Sequence, residues 1–275
     1  MIREHIKKKV EKIPFMAAIY RTVRDELTFT RATALEMQGF MLKSANSQFG
    51  TTYETEVTDL IKTCLVHSDV FVDIGANVGY YACMACSLGK HVVAIEPLES
   101  NLRYLLHNLQ HNSWNNVEVF SLGLSAQPGL TKIFGSGTGA SLVSGWAGIS
   151  ATYCKTIPLS TLDIILGQRF KGKQLLIKAD VEGAEYMLLK GSTQILSMVP
   201  KPVWIMEICL TEHHPEGINP DFAEAFNIFW DNGYKAWSID LKGVGKEICK
   251  EDVDRWIKTR KTDFGSHNYC FKAKE

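Results

Sequence analysis

The chain has 275 residues, 45% hydrophobic and 22% charged, which is enough to bury one sizeable core and excludes a disordered, fibrous or membrane-embedded class. Thirty basic residues cancel thirty acidic ones, so no global field draws the protein to nucleic acid. The seven cysteines are odd in number and scattered through apolar contexts, which argues for reduced, buried thiols rather than a disulfide framework.

No stretch approaches the roughly 18 consecutive apolar residues of a membrane span, and the start lacks the apolar region of a signal peptide, so the expectation is a cytoplasmic protein. The first 24 residues carry Arg3, Lys7, Lys8, Lys9, Lys12, Arg21 and Arg24 against Glu4 and Glu11, while Ile2, Ile6, Val10 and Ile13 recur at helical spacing. That describes a basic amphipathic helix stopped before Pro14. It either docks on the body or on a second subunit of a homo-oligomer, or makes peripheral contact with an anionic membrane or an acidic lipid-linked substrate. Residues 15 to 46 read as helical in large part. Glu54 to Leu65 forms a further amphipathic helix headed by Tyr53 and Glu54, which either border a pocket or simply pack and cap.

Val70 to Tyr81, VFVDIGANVGYY, holds three signals in twelve residues. Val70, Phe71, Val72 and Ile74 make a buried parallel strand, Gly75 a sharp turn with Ala76, Asn77 and Gly79, and Tyr80 to Leu88 a helix whose first amides face a ligand. Cys83 and Cys86 lie at i, i+3 on that helix with no second pair nearby, and they read as packing rather than as zinc or redox ligands. His91 to Ile95 is a second strand ending at Glu96 and Pro97. Leu98 to Asn112 is a helix with Leu102, Leu105, Leu106 and Leu109 on one face, and VEVFSL from Val117 is a third strand.

This rhythm is the first half of a doubly wound α/β sheet, which places ligands outside the carboxyl ends of its strands, here Asp73, Glu96 and Leu122. From Gly123 to Tyr153 the texture turns rich in Gly and Ser, predicting a short β-excursion and a mobile loop over the crevice. Ile157 to Leu166 enters a short helix with Ser160 as N-cap and Asp163 in its first turn. Gln174 to Glu185, QLLIKADVEGAE, is a buried strand ending in Asp180, Glu182 and Glu185, the last expected to be solvated or salt-bridged. A fifth strand ends near Glu207 and Cys209, before a loop with His213 and His214. Phe222 to Asn232 is a helix, YKAWSID a sixth strand, and NYCFKA a last strand antiparallel beside it. An insertion over 239 to 268 separates those two strands.

An acidic residue closing the second strand first suggests a dinucleotide enzyme, but G-A-N-V-G lacks the third glycine of a pyrophosphate cradle, and no phosphate-binding loop is present. A ligand with ribose and adenine but no phosphate fits better. Asp73 and the turn amides suit an amino-acid end, Glu96 the ribose hydroxyls and the Leu122 to Gly123 bend the adenine, which describes S-adenosylmethionine.

Over roughly Tyr53 to Glu207 the sequence resembles the FkbM-type methyltransferases of the class I S-adenosylmethionine-dependent superfamily. The resemblance rests on DIGANVGYY, AIEP, LDIIL and KADVEGAE, in that order. It implies a Rossmann-like seven-stranded methyltransferase sheet with helices on both faces and an antiparallel last strand. It also implies use of S-adenosylmethionine, and commonly O-methylation of sugars or natural-product hydroxyls. Carried over residue by residue, Asp73, Gly75, Asn77 and Gly79 match the cofactor turn, Glu96 the ribose acid and Asp180 the acid beside the transferred methyl. Residues 1–50 then form an N-terminal helical extension and 51–275 the methyltransferase domain.

Methylating a hydroxyl requires removal of its proton, and Glu182, His213 and His214 are the candidate bases. Each has a plainer reading: Glu182 as a helix cap, either histidine as a surface residue. No metal is assigned. D-V-E-G replaces the Asn-Pro-Pro-Tyr type of segment associated with nitrogen acceptors, so a small-molecule or glycan hydroxyl is favoured over nucleic acid. The rivals are a protein or lipid acceptor, and a non-catalytic cofactor-binding protein.

Overall fold

The structure, a computed structural model, describes residues 14–46, 48–49, 53–240 and 242–274. The basic helix expected before Pro14 lies outside the described residues. The chain opens with α1 (Pro14–Arg31), followed by β1 (Ala34–Glu36) and β2 (Met41–Lys43). Helix therefore fills only part of 15 to 46. Gly39, at φ 94°, reverses the chain, and Leu35 pairs across from Leu42. The side chains of Asn112 and Asn108 accept from the amides of Met41 and Lys43, both at 2.8 Å, which ties the second strand to the body.

The doubly wound part runs α2 (Thr55–Val66), β3 (Val70–Ile74), α3 (Tyr80–Ser87), β4 (His91–Ile95), α4 (Glu99–His111) and β5 (Glu118–Phe120). The excursion follows as β6 (Gly123–Leu124), β7 (Gly129–Phe134) and β8 (Cys154–Ser160), a three-stranded sheet in the order β6-β8-β7. The chain then returns through α5 (Leu162–Leu166), β9 (Leu175–Ala179), α6 (Glu185–Lys190), α7 (Thr193–Leu196), β10 (Val203–Glu207), α8 (Phe222–Asp231) and β11 (Tyr234–Asp240). It closes with β12 (Gly243–Ile248), α9 (Lys250–Thr259) and β13 (Asn268–Ala273).

The main sheet has the order β12-β11-β13-β10-β9-β3-β4-β5. β13 slots antiparallel between β10 and β11, as the last strand of the expected seven. The eighth strand, β12, is built by the insertion and extends the edge beside β11. Alternation along the buried strands divides the core. Val70, Val72 and Ile74 face one helical layer while Phe71 faces the other, and Trp204 and Met206 oppose Ile205 in the same way. The sheet is thus covered on both faces, which explains why its strands read as continuous apolar runs. All seven cysteines are free thiols, and Cys83 is fully buried in one of these layers.

Two local expectations change. The N-cap of α5 is Thr161, whose side chain accepts from the Ile164 amide, because β8 continues through Ser160. Glu185 is buried, not solvated: it accepts from the Gly183 amide at 2.8 Å, and burial pushes its carboxyl up to about 8. Among the described residues no helix is long and apolar enough to cross a membrane.

Candidate active site

β3 has β4, the next strand of the doubly wound part, on one side and β9 on the other, so strand order reverses there and a crevice opens beyond the carboxyl ends. The crevice is lined by Gly75, Asn77, Glu96, Leu122, Gly123, Asp180 and Glu182 among others. Seven residues singled out from the sequence thus meet in one place.

Its first wall is made locally. The amides of Gly75 and Ala76 both donate to the Ile95 carbonyl, at 2.9 and 3.0 Å, which draws the turn across to β4. Asn77, at φ 52°, directs its amide to Glu96 Oε2 at 2.8 Å, and the Leu98 amide meets Oε1 at 2.8 Å. Gly75 has φ 77°, and a Cβ there would be driven into the Asp180 carbonyl oxygen, so the position admits only glycine. Burial raises the Glu96 carboxyl to about 7 against the pull of those two amides. Asp73 is fully buried, and burial raises its carboxyl to about 6 against the attraction of Lys178 and the Ala82 amide. Ala76 is buried and Gly79 caps α3; neither lines the crevice.

The second wall is assembled from distant segments. Lys178 near the end of β9 and Asp180 just past it, two residues on, reach the same side, with Nζ 2.9 Å from Oδ2. Burial pushes the Lys178 ammonium down, but Asp180, Glu54 and Asp73 outweigh it and hold the group above its ordinary value. Glu207 stands at the end of the neighbouring strand, where the charge of Asp180 and then burial raise it well above the carboxylate range. Glu182, in the left-handed region at φ 52°, is raised by burial and then by Asp180, against its hydrogen bond from Trp146. Among the described residues no group of three or more His, Cys, Asp or Glu side chains is arranged to hold a metal.

The loop between β7 and β8 closes over this wall. Trp146 Nε1 donates to Glu182 Oε2 at 2.8 Å, Ser141 Oγ donates to the Glu182 carbonyl, and Asn101 Nδ2 donates to the Gly137 carbonyl at 3.1 Å. Gly183, at φ 92°, lets the indole in; a Cβ there would stand 2.6 Å from its ring. His213 and His214 do not line the crevice but pack on Trp146, their ring centroids 5.7 and 4.6 Å away. His213 is exposed, whereas His214 is buried and its imidazole is held below its ordinary value by burial. Tyr53 likewise stays outside the crevice, its ring 5.0 Å from that of Tyr80. Beside it Tyr81 donates to Glu54 at 2.6 Å, and Lys178 lies over the Tyr81 ring.

Sequence reasoning did not assign Lys178, Glu207 or Trp146. The first two carried a signal, since Lys178 shares a strand face with Asp180 and Glu207 ends a strand just as Asp73, Glu96 and Asp180 do. Trp146 was visible only as a large ring within a Gly- and Ser-rich stretch, which demands a partner without saying which.

The residues fit a cofactor carrying an adenine and a ribose. Ile95, Pro97, Leu122 and Leu142 give an apolar slot, Glu96 has acceptor capacity left for hydroxyls, and the Gly75 turn leaves backbone clear for close approach. The profile of the methyltransferase FkbM domain matches residues 73–236. The hexuronic acid methyltransferase AglP of Haloferax volcanii is 30% identical over 146 residues, 53% of this chain and 59% of that protein. The chain thus spans under two thirds of that relative's length. Among solved structures, a SAM-dependent methyltransferase from Agrobacterium tumefaciens aligns with TM-score 0.45 at 8% identity, over 89% of this chain and 70% of that one. A ribosomal protein L11 methylase from Lactobacillus delbrueckii subsp. bulgaricus aligns with TM-score 0.44 at 12% identity, over 82% and 80%.

Proposed function

Because the chain belongs to the FkbM family of methyltransferases, we propose that it methylates a hydroxyl oxygen of a sugar, glycolipid or natural product, with Glu182 as the general base. S-adenosylmethionine is the cofactor, and when bound it supplies an electrophilic methyl group on a sulfonium. Glu96 and the Gly75–Asn77 turn hold its ribose and amino-acid parts; Leu122 and Gly123 flank the adenine. The chain's remaining task is to align an acceptor oxygen and take its proton.

The observation that carries this reading is the state of the carboxylates on the β9 side. Glu182 faces the crevice, and burial beside Asp180 lifts it towards neutral pH, where a carboxylate becomes an effective base. Its bond to Trp146 fixes its orientation. Glu207, whose carboxyl the charge of Asp180 and burial raise, stands behind Asp180 and does not line the crevice, so it is not the base. Lys178 is a positioning residue that neutralises Asp180 and keeps the cluster from repelling itself apart. The histidines act through Trp146 and not on the acceptor. Resemblance to a hexuronic acid methyltransferase supports a sugar acceptor, on which either a hydroxyl or a carboxylate can receive the methyl group. A carboxylate acceptor is already ionised and needs no base, so the carboxylate cluster favours the hydroxyl.

The test is transfer of labelled methyl from S-adenosylmethionine to uronate-bearing and neutral glycans. Label in the glycan fraction supports the reading, and label confined to protein or lipid overturns the sugar acceptor.

A further inference from the structure

α1 meets the body through polar groups and the Phe29 ring, which packs 4.8 Å from that of Tyr104. Glu26 forms an ion pair with Arg103 of α4, Arg24 binds Asp25 and the Tyr153 hydroxyl, and Arg103 stacks 3.9 Å over the Phe29 ring. A cleft of about 490 Å³ lies between α1, α4 and the β7–β8 loop, lined among others by Arg24, Glu26, Arg103 and Tyr153. The opposite side of the helix is apolar and faces outward: Ile19, Tyr20, Val23 and Leu27 are 49, 40, 51 and 47% exposed. At roughly 100° per residue these four fall within about 100° of arc, so they form one stripe. An ordinary amphipathic helix buries such a stripe, whereas this one presents it.

We propose that this face of α1 docks on an anionic bilayer surface, with the stripe at the headgroup–acyl boundary. The charge of the preceding chain selects the occupant. Arg3, Lys7, Lys8, Lys9 and Lys12 against Glu4 and Glu11 leave a surplus of positive charge directly before Pro14, suited to acidic headgroups. A second copy of the chain is a poorer fit. Among the described side chains, four over little more than two turns fall far short of the roughly 20–30 residues a side in a stable protein interface. The inference is independent of the methyl-transfer reading.

Flotation of the full chain with phosphatidylcholine vesicles, with and without phosphatidylglycerol, tests it. The expected result is binding to the anionic vesicles alone, weakened about tenfold by high salt. The double variant Val23→Glu, Leu27→Glu, whose changes lie on an exposed face, should bind the vesicles at least tenfold less while its calorimetric titration with S-adenosylmethionine is unchanged. Absence of binding to anionic vesicles, equal binding by the double variant, or a dimer in sedimentation velocity that this variant dissolves would each overturn the proposal.

Discussion

The two walls of the crevice are built in opposite ways. The β3–β4 wall comes from one continuous stretch, Asp73 to Leu98, and its contacts are largely between backbone groups and one carboxylate. The β9–β10 wall presents Asp180 and Glu182 to the crevice, backed by Glu54, Trp146, Lys178 and Glu207, and its contacts are largely made by side chains. Backbone geometry set by a glycine turn tolerates almost no change. A cluster of charges is less uniform: removing Lys178 would leave the partly buried Asp180 without its cation and cost stability, whereas Glu182, at the crevice, should be felt in chemistry before it is felt in folding.

Gly75→Ala should break the contrast most severely, because it adds a Cβ at positive φ against the Asp180 carbonyl and so strikes both walls. A loss of about 4 kcal/mol or more in denaturant unfolding is expected. Glu182→Gln should instead leave stability and cofactor affinity near wild type and lower kcat by about 10²-fold or more, measured by methyl transfer at saturating cofactor.

The pH dependence sharpens the account of the first wall. Glu96 has a folded value of about 7, raised above that of an unfolded chain. Its contribution to the stability of the free protein is therefore full at acid pH and is lost as pH rises through about 7. Hydroxyl donors from a ribose favour the ionised carboxylate. Calorimetric affinity for S-adenosylmethionine should accordingly rise up to about tenfold per pH unit below 7 and level off above it. A pH-independent affinity would remove Glu96 from the ribose site. The smallest effect is expected for Trp146→Phe, which keeps a six-membered aromatic ring but loses the indole's hydrogen bond to a carboxylate and part of its buried packing. About 1–2 kcal/mol less protection of the 135–153 loop in hydrogen exchange is expected.

The same contrast explains what could be read from the sequence. DIGANVGYY and AIEP announce their wall because turn, strand and ligand groups follow each other in the chain, so Gly75, Asn77 and Glu96 were placed in order before any fold was known. The first half of the doubly wound sheet and the antiparallel pairing of the last strand with the sixth are legible in alternation and short connections, whereas the insertion of β13 between β10 and β11 is not. The β12 edge did not, since the Gly-rich GVGKEI carries little strand pattern of its own. Helix was overextended past Arg31 because the apolar residues of 34 to 43 suit either a helix or a two-sided hairpin. The sequence pattern points to a solvated or salt-bridged Glu185, because its partner, the Gly183 amide, is a backbone group that no side-chain pattern reveals. Trp146 meets Glu182 across 36 residues, and His213 and His214 turn out to support that ring. Such contacts depend on how the excursion folds back, which lies beyond local periodicity.

The central claim is methylation of a hydroxyl with Glu182 taking the proton. Its most direct test is the alkali stability of the product formed from labelled S-adenosylmethionine and a uronate-bearing glycan by wild type and by Glu182→Gln. The account predicts an alkali-stable methyl ether whose formation falls by about 10²-fold or more in the variant. An alkali-labile methyl ester, formed as fast by Glu182→Gln as by wild type, would contradict it.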